Sequence, residues 1–393
     1  MVVAALLLLQ AQGVAPGTPG HRPGVSPPAP PSFSAPIFDP IVLDGIQRGA
    51  YPGAVLVVGR RDTILFAKGY GRLTWSARSP TPDVDSTLWD VASLTKVIAT
   101  TTALMLLVER GRVDLSAPVA RYVPEFHGPG TAAVTVRHLL THTSGLRAWL
   151  PLNRLAPDSA AAMRIVFDQT PRVPPGTWME YSDFNAILLG EIVRRTAGVP
   201  LDVFAAHEIF APLGLRQSMF RPPRRLVPRI APTGVWHGHP VAGVVNDQNA
   251  ARLGGVAGHA GLFASAADLA RFAQFMLGEG APPNGPRLLK GETVRAFTAI
   301  AVPARRGASA RTLGWEALPT GETVSSAGTL FGPRSYGHTG WTGTSLWIDP
   351  DRGVFVLLLT NRAYAPRARR SFTLLKEIRG RVADAAARAA DAR

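Results

Sequence analysis

Apolar residues change their spacing along the chain, and each change marks an element. Residues 54–58 form the unbroken run Ala-Val-Leu-Val-Val, which predicts a buried strand. Arg60-Arg61-Asp62 turns the chain into a second strand over 64–67, an antiparallel hairpin that ends in a Gly69-Tyr70-Gly71 loop. Residues 38–48 before it read as a short helix. From Ser93 onward, Val97, Ile98, Ala103, Leu104, Leu106, Leu107 and Val108 leave almost no polar face, so a core helix is predicted, stopped by Gly111. Between Leu115 and Met276 the period is helical. Segments 136–140, 159–167, 186–196, 201–210 and 266–276 alternate with Gly- and Pro-rich loops, predicting an all-helical lobe at about residues 112–285. Strands return over 344–348 and 354–359, flanking the turn Asp349-Pro350-Asp351-Arg352-Gly353, and an Ala/Arg helix from about Arg367 would cover one sheet face. The prediction is one α/β domain of the α+β kind over residues 37–385: an antiparallel sheet flanked by helices, plus the helical lobe.

The first 36 residues depart from this pattern. Residues 2–9 are uninterrupted apolar and lead into Ala11-Gln12-Gly13, resembling a secretory signal over 1–13 without its usual positive start. Residues 14–36 carry eight prolines, which predicts a stiff linker tethering the domain to the membrane or wall. Export to the periplasm or cell envelope is the expectation. Composition adds two exclusions. With no cysteine there is no disulfide, thiol nucleophile or thiolate metal site. The net charge of +15 comes from arginines scattered between Arg22 and Arg393, which points to a solvated basic surface and not to a nucleic-acid partner.

Against that arginine background, Lys96 stands out as one of only four lysines. Arg keeps its proton, whereas a desolvated Lys can lose one, so Lys96 in Ser93-Leu94-Thr95-Lys96 fits proton chemistry. Three residues apart on a helix, Ser93 and Lys96 share a face as nucleophile and activator. The plainer alternative is a Lys snorkelling from the helix end with Ser93 as its cap. A second element, Tyr181-Ser182-Asp183, places a phenol and a carboxylate just before an apolar helix; the alternative is a packed Tyr181 and a capping Asp183. The third, Tyr336-Gly337-His338-Thr339-Gly340-Trp341-Thr342-Gly343, reads as a strand whose glycines allow close approach by a ligand, or as a bulged edge.

In this order and spacing the three elements resemble the serine β-lactamase and penicillin-binding protein superfamily. The closest branch is the class C-like one with D-alanyl-D-alanine carboxypeptidases and esterases, and the resemblance spans residues 38–380. Residues 135–146, 254–262 and 344–350 also look like that branch. The resemblance implies a β-lactamase/transpeptidase-like fold and acyl transfer through Ser93, with Lys96 and Tyr181 sharing the proton work. The oxyanion would be held by the backbone N–H groups of Ser93 and Trp341, with Asp183, His338, Thr339 and Gly340 at the substrate. Two departures matter: Asp183 stands where class C enzymes carry Asn, and His338 where they carry Lys. Asp183 would keep Lys96 protonated or orient it, and His338 would be a partly charged, weaker anchor for a substrate carboxylate. No cofactor or metal is called for. His237, His239 and His207 lack metal-ligand spacing, and His138, His142 and His259 are expected to hydrogen-bond loops of the helical lobe. The functional expectation is a serine hydrolase of an amide, ester or lactam, foremost a D-alanyl-D-alanine-type carboxypeptidase on a peptidoglycan-type peptide. Its rivals are a small-ester esterase, a weak class C-like β-lactamase, and a non-catalytic envelope protein binding peptide or glycan.

Overall fold

The computed structural model describes residues 33–322, 324–364 and 372–392; the signal segment and linker residues 14–32 assigned above lie outside them. β1 (Gly53–Arg60) is buried on both faces, as its apolar run requires, and pairs with β2 (Ile64–Gly71) on one side. β2 continues through Gly69-Tyr70-Gly71, so those residues are strand and not loop: Gly53 pairs with Gly71 and Ala54 with Tyr70.

Four short strands follow in the middle of the chain, β3 (Leu88–Asp90), β4 (Met219–Phe220) and a hairpin of β5 (Gly234–Trp236) with β6 (His239–Val241). β7 (Leu262–Ser265) then joins β3 and β4 in a small antiparallel sheet. The C-terminal half adds β8 (Ala310–Arg311), β9 (Glu316–Ala317), β10 (Tyr336–Thr339), β11 (Ser345–Asp349) and β12 (Val354–Thr360). The main sheet runs β2-β1-β12-β11-β10-β9-β8, all neighbours antiparallel. The predicted all-helical stretch therefore contains strands, which at two to four residues are too short to show alternation.

Period two sorts the main sheet's side chains. Ala54, Leu56, Val58, Val356 and Leu358 face helices Ala35–Gln47 and Phe372–Asp391, meeting Phe38, Val42, Leu375, Ile378 and Val382. Val55, Val57, Leu357 and Leu359 face the other way, into a larger core shared with the helical lobe. Helix Ala266–Leu277 packs on β1 and β12, so it roofs the sheet and is not only part of the lobe. The first helix starts at Ala35, inside the predicted linker. Pro36 falls in its first turn, where a missing N–H costs nothing, and Phe33 ahead of it is buried. Among the described residues no helix is long and apolar enough to cross a membrane.

Candidate active site

Ser93 sits at the start of the buried helix, half-buried, after a turn in which Ala92 adopts φ +48. A left-handed non-glycine residue persists only where its surroundings hold it. Here Asp90 takes the Ala92 N–H on Oδ1 (2.9 Å). The third-motif turn ties down the same segment, Thr342 Oγ1 donating to the Asp90 carbonyl and Thr344 Oγ1 to that of Val91. Gly340 owes its identity to this closeness, since a Cβ would collide with Thr344 Oγ1 and the Val91 carbonyl. The approach that excludes a side chain there comes from the protein's own backbone, not from a ligand as the sequence suggested.

Lys96 does not snorkel. It is 3% exposed, in the first turn of the helix, and its Nζ lies 2.9 Å from Ser93 Oγ, 2.8 Å from Asp183 Oδ1 and 3.2 Å from the His259 carbonyl. Burial by itself would push the amine's pKa down; the charge of Asp183, then Tyr181, and hydrogen bonds to both carry it above the ordinary lysine value. Asp183 thus serves as an ion-pair partner, and its side chain does not cap the helix Asp183–Ala197.

Tyr181 arrives on a loop fastened from below by His142, whose Nδ1 accepts the Ser182 N–H and faces the Asn185 amide, each at 3.1 Å. His138 caps its own short helix with Thr135. The Tyr181 ring packs against His142 and His338, at 4.7 and 5.8 Å between centroids, with two cations beside it: Lys96 Nζ at 4.9 Å and Arg311 at 5.4 Å.

The third motif is strand only to Thr339; Gly340 begins a turn that leaves the Trp341 indole 61% exposed. Among the described residues the backbone N–H groups of Ser93 and Trp341 meet no acceptor. His338 differs from its expected partial charge. Burial, then Lys96 and Arg311, hold its pKa well below the usual histidine range, so the ring is neutral at pH 7.

Two adjoining pockets of about 300 and 290 Å³ open over this cluster and share Tyr181, Arg311, Glu316 and Thr339; the first also touches Ser93, His338, Gly340, Trp341 and Phe372. Arg311 and Glu316 are the site residues that the sequence reading missed. Arg311 is 8% exposed and, among the described residues, has no carboxylate partner; its Nε and Nη1 are unpaired. In a chain this rich in arginine, nothing local in the sequence distinguishes it.

Asp183, Asp247 and His259 each place one potential metal-ligand atom within 4.8 Å of the others. A cation there would lie against the Lys96 ammonium, with which Asp183 is already paired. His237 and His239 belong to the exposed β5–β6 hairpin.

The chain as a whole is similar to known proteins. A family model described as Beta-lactamase matches residues 38–379. Two proteins named "Putative D-alanyl-D-alanine carboxypeptidase" are similar. The one from Escherichia coli (strain K12) is 30% identical over 81% of this chain and 80% of its own length. The one from Salmonella agona (strain SL483) is 32% identical over 83% of each. Among solved structures, EstCE1, a hydrolase with promiscuous acyltransferase activity, superposes with a TM-score of 0.70 at 21% identity, covering 89% of this chain and 98% of that one. A class C beta-lactamase gives 0.69 at 22% identity, covering 88% and 95%.

Proposed function

The chain belongs to the Beta-lactamase family of hydrolases, and within that family we propose that it works as a D-alanyl-D-alanine-type carboxypeptidase in the cell envelope. Ser93 Oγ attacks the carbonyl of the last peptide bond, the terminal D-alanine leaves as an amine, and water resolves the acyl-serine. With Lys96 held charged by Asp183, Tyr181, whose ring lies beside Lys96 and Arg311, would act as the base that takes the serine proton, coupled to Lys96. The Ser93 and Trp341 N–H groups, without acceptors among the described residues, would receive the oxyanion, a role worth about 3 kcal/mol per donor. Thr339 and Gly340 line the cleft where an extended peptide would lie along the His338–Thr339 end of β10, beyond its pairing with β9.

Arg311 carries the preference for a peptide acid. A buried, unpaired guanidinium on the wall of the cleft is a costly arrangement unless a ligand supplies the anion, and a planar fork suits a terminal carboxylate. Small-ester hydrolysis is the second reading, favoured by the neutral His338, which offers a carboxylate no second cation. A panel of D-Ala-D-Ala peptides, their C-terminal amides, p-nitrophenyl esters and nitrocefin separates the two. The expected result is peptide-acid hydrolysis with kcat/KM falling at least roughly tenfold in Arg311→Gln, and ester hydrolysis little changed. Activity on esters alone, indifferent to Arg311→Gln, would overturn the carboxypeptidase reading.

A further inference from the structure

We propose that Asp247 and His259 are positioning residues for this site: paired with each other, they fix the carbonyl and the charge against which the Lys96 ammonium is held. The inference rests on the reading of Ser93 and Lys96 as an acyl-transfer pair.

The Lys96 Nζ is held by Ser93 Oγ, Asp183 Oδ1 and the His259 carbonyl, with the Tyr181 hydroxyl also beside it. The direction in which Lys96 meets the nucleophile therefore depends on its other partners, the His259 carbonyl among them, staying in place. The His259 carbonyl belongs to a residue whose ring is itself anchored, Nε2 standing 3.0 Å from Asp247 Oδ1. That bond selects the Nε2–H tautomer. The ring is 1% exposed, and its Nδ1 has no partner among the described residues, so Asp247 is the sole polar hold on it.

Asp247 is held in turn. Its Oδ1 takes the Ala250 N–H at 2.8 Å, capping the helix Gln248–Arg252. Burial opposes its charge, but His259, the capping N–H and Lys96 keep its carboxyl well below the usual range. A second carboxylate thus stays ionised near the Lys96–Asp183 pair. A histidine that only filled the core would need no ionised carboxylate beside it.

The neighbouring residue braces the nucleophile from the other side. The Asn246 N–H donates to Asp90 Oδ2 at 2.7 Å, and Asp90 Oδ1 accepts from Ala92, next to Ser93. Burial pushes the Asp90 carboxyl up to about 6, so this link is made by a carboxylate under strain of desolvation. Asn246 and Asp247 together connect the turn that presents Ser93 with the residue that meets Lys96.

The test compares His259→Leu, which removes the bond at similar size, with His259→Gln, whose amide can restore an N–H at the Nε2 position. Acylation of Ser93 by a fluorophosphonate is timed in each, alongside thermal melting. The expected result is a folded His259→Leu acylated roughly ten- to hundredfold more slowly than wild type, with most of the rate recovered in His259→Gln. Acylation of a folded His259→Leu at the wild-type rate overturns the proposal, as does an equal loss in both variants that tracks only their melting. If His259→Leu does not fold, Asp247→Asn keeps the helix cap, removes the charge and carries the same expectation. A crystal structure of the variant gives a readout independent of activity. Lys96 Nζ is expected to leave its 2.9 Å contact with Ser93 Oγ, and retention of that contact sinks the idea. Absence of any adduct on wild type would instead count against the acyl-transfer reading, and the crystallographic comparison would then decide the positioning pair alone.

Discussion

Burial pushes the Lys96 pKa down, and the carboxylate of Asp183, followed by Tyr181, more than offsets it. Replacing Asp183 with the Asn found in class C enzymes keeps a hydrogen bond and removes the Coulomb attraction. The ammonium's pKa then falls. In Asp183→Asn the alkaline limb of the kcat/KM profile is expected to move to lower pH as Lys96 begins to lose its proton; a limb that stays in place would contradict this account. Lys96 was legible in the sequence because lysine is scarce here and arginine cannot do its work. Arg311 was not, because what sets it apart is the absence of a partner, a property of the folded cleft. His338 was misjudged for a related reason: its charge is decided by burial and by two cations from elsewhere in the chain.

The elements that sequence reading placed best are those with long unbroken patterns: β1, β12, the core helix after Ser93 and the helix Ala266–Leu277. Those it missed are all short, among them β3, β4 and β7, held by pairing with each other across great sequence distance. The glycine-rich third motif misled in a useful way. Its β10 ends at Thr339, and Gly340 turns the chain against Val91. Gly340→Ala is therefore predicted to destabilise the protein by about 1–3 kcal/mol, measured by urea denaturation, because a methyl group must displace the Val91 carbonyl as well as the Thr344 hydroxyl. A cost near zero would mean that the two motif segments are less tightly joined than described.

At the scale of the molecule, the cleft is assembled from parts distant in sequence, and its charge balance should appear in the pH dependence of stability. His142 and His338 are both held well below the usual histidine pKa by burial and by Arg311 and Lys96. The unfolded chain takes up protons near pH 6.5 that the folded chain refuses, so the stability these rings contribute is present above that pH and is lost as pH falls below it. Melting temperature is expected to drop between pH 7.5 and 5.5, and to drop less in His338→Gln; parallel curves for the two proteins would contradict the assignment of neutral imidazoles. The central claim, that the lobes bring Ser93, Lys96 and Tyr181 together as one acyl-transfer site, has a direct test. Wild type and Ser93→Ala are incubated with a fluorophosphonate or a labelled penicillin, and intact mass and peptide mapping are recorded. The account predicts one covalent adduct on the Ser93 peptide of the wild type and none on the variant. An unmodified wild type, or an adduct that survives in Ser93→Ala, would contradict it.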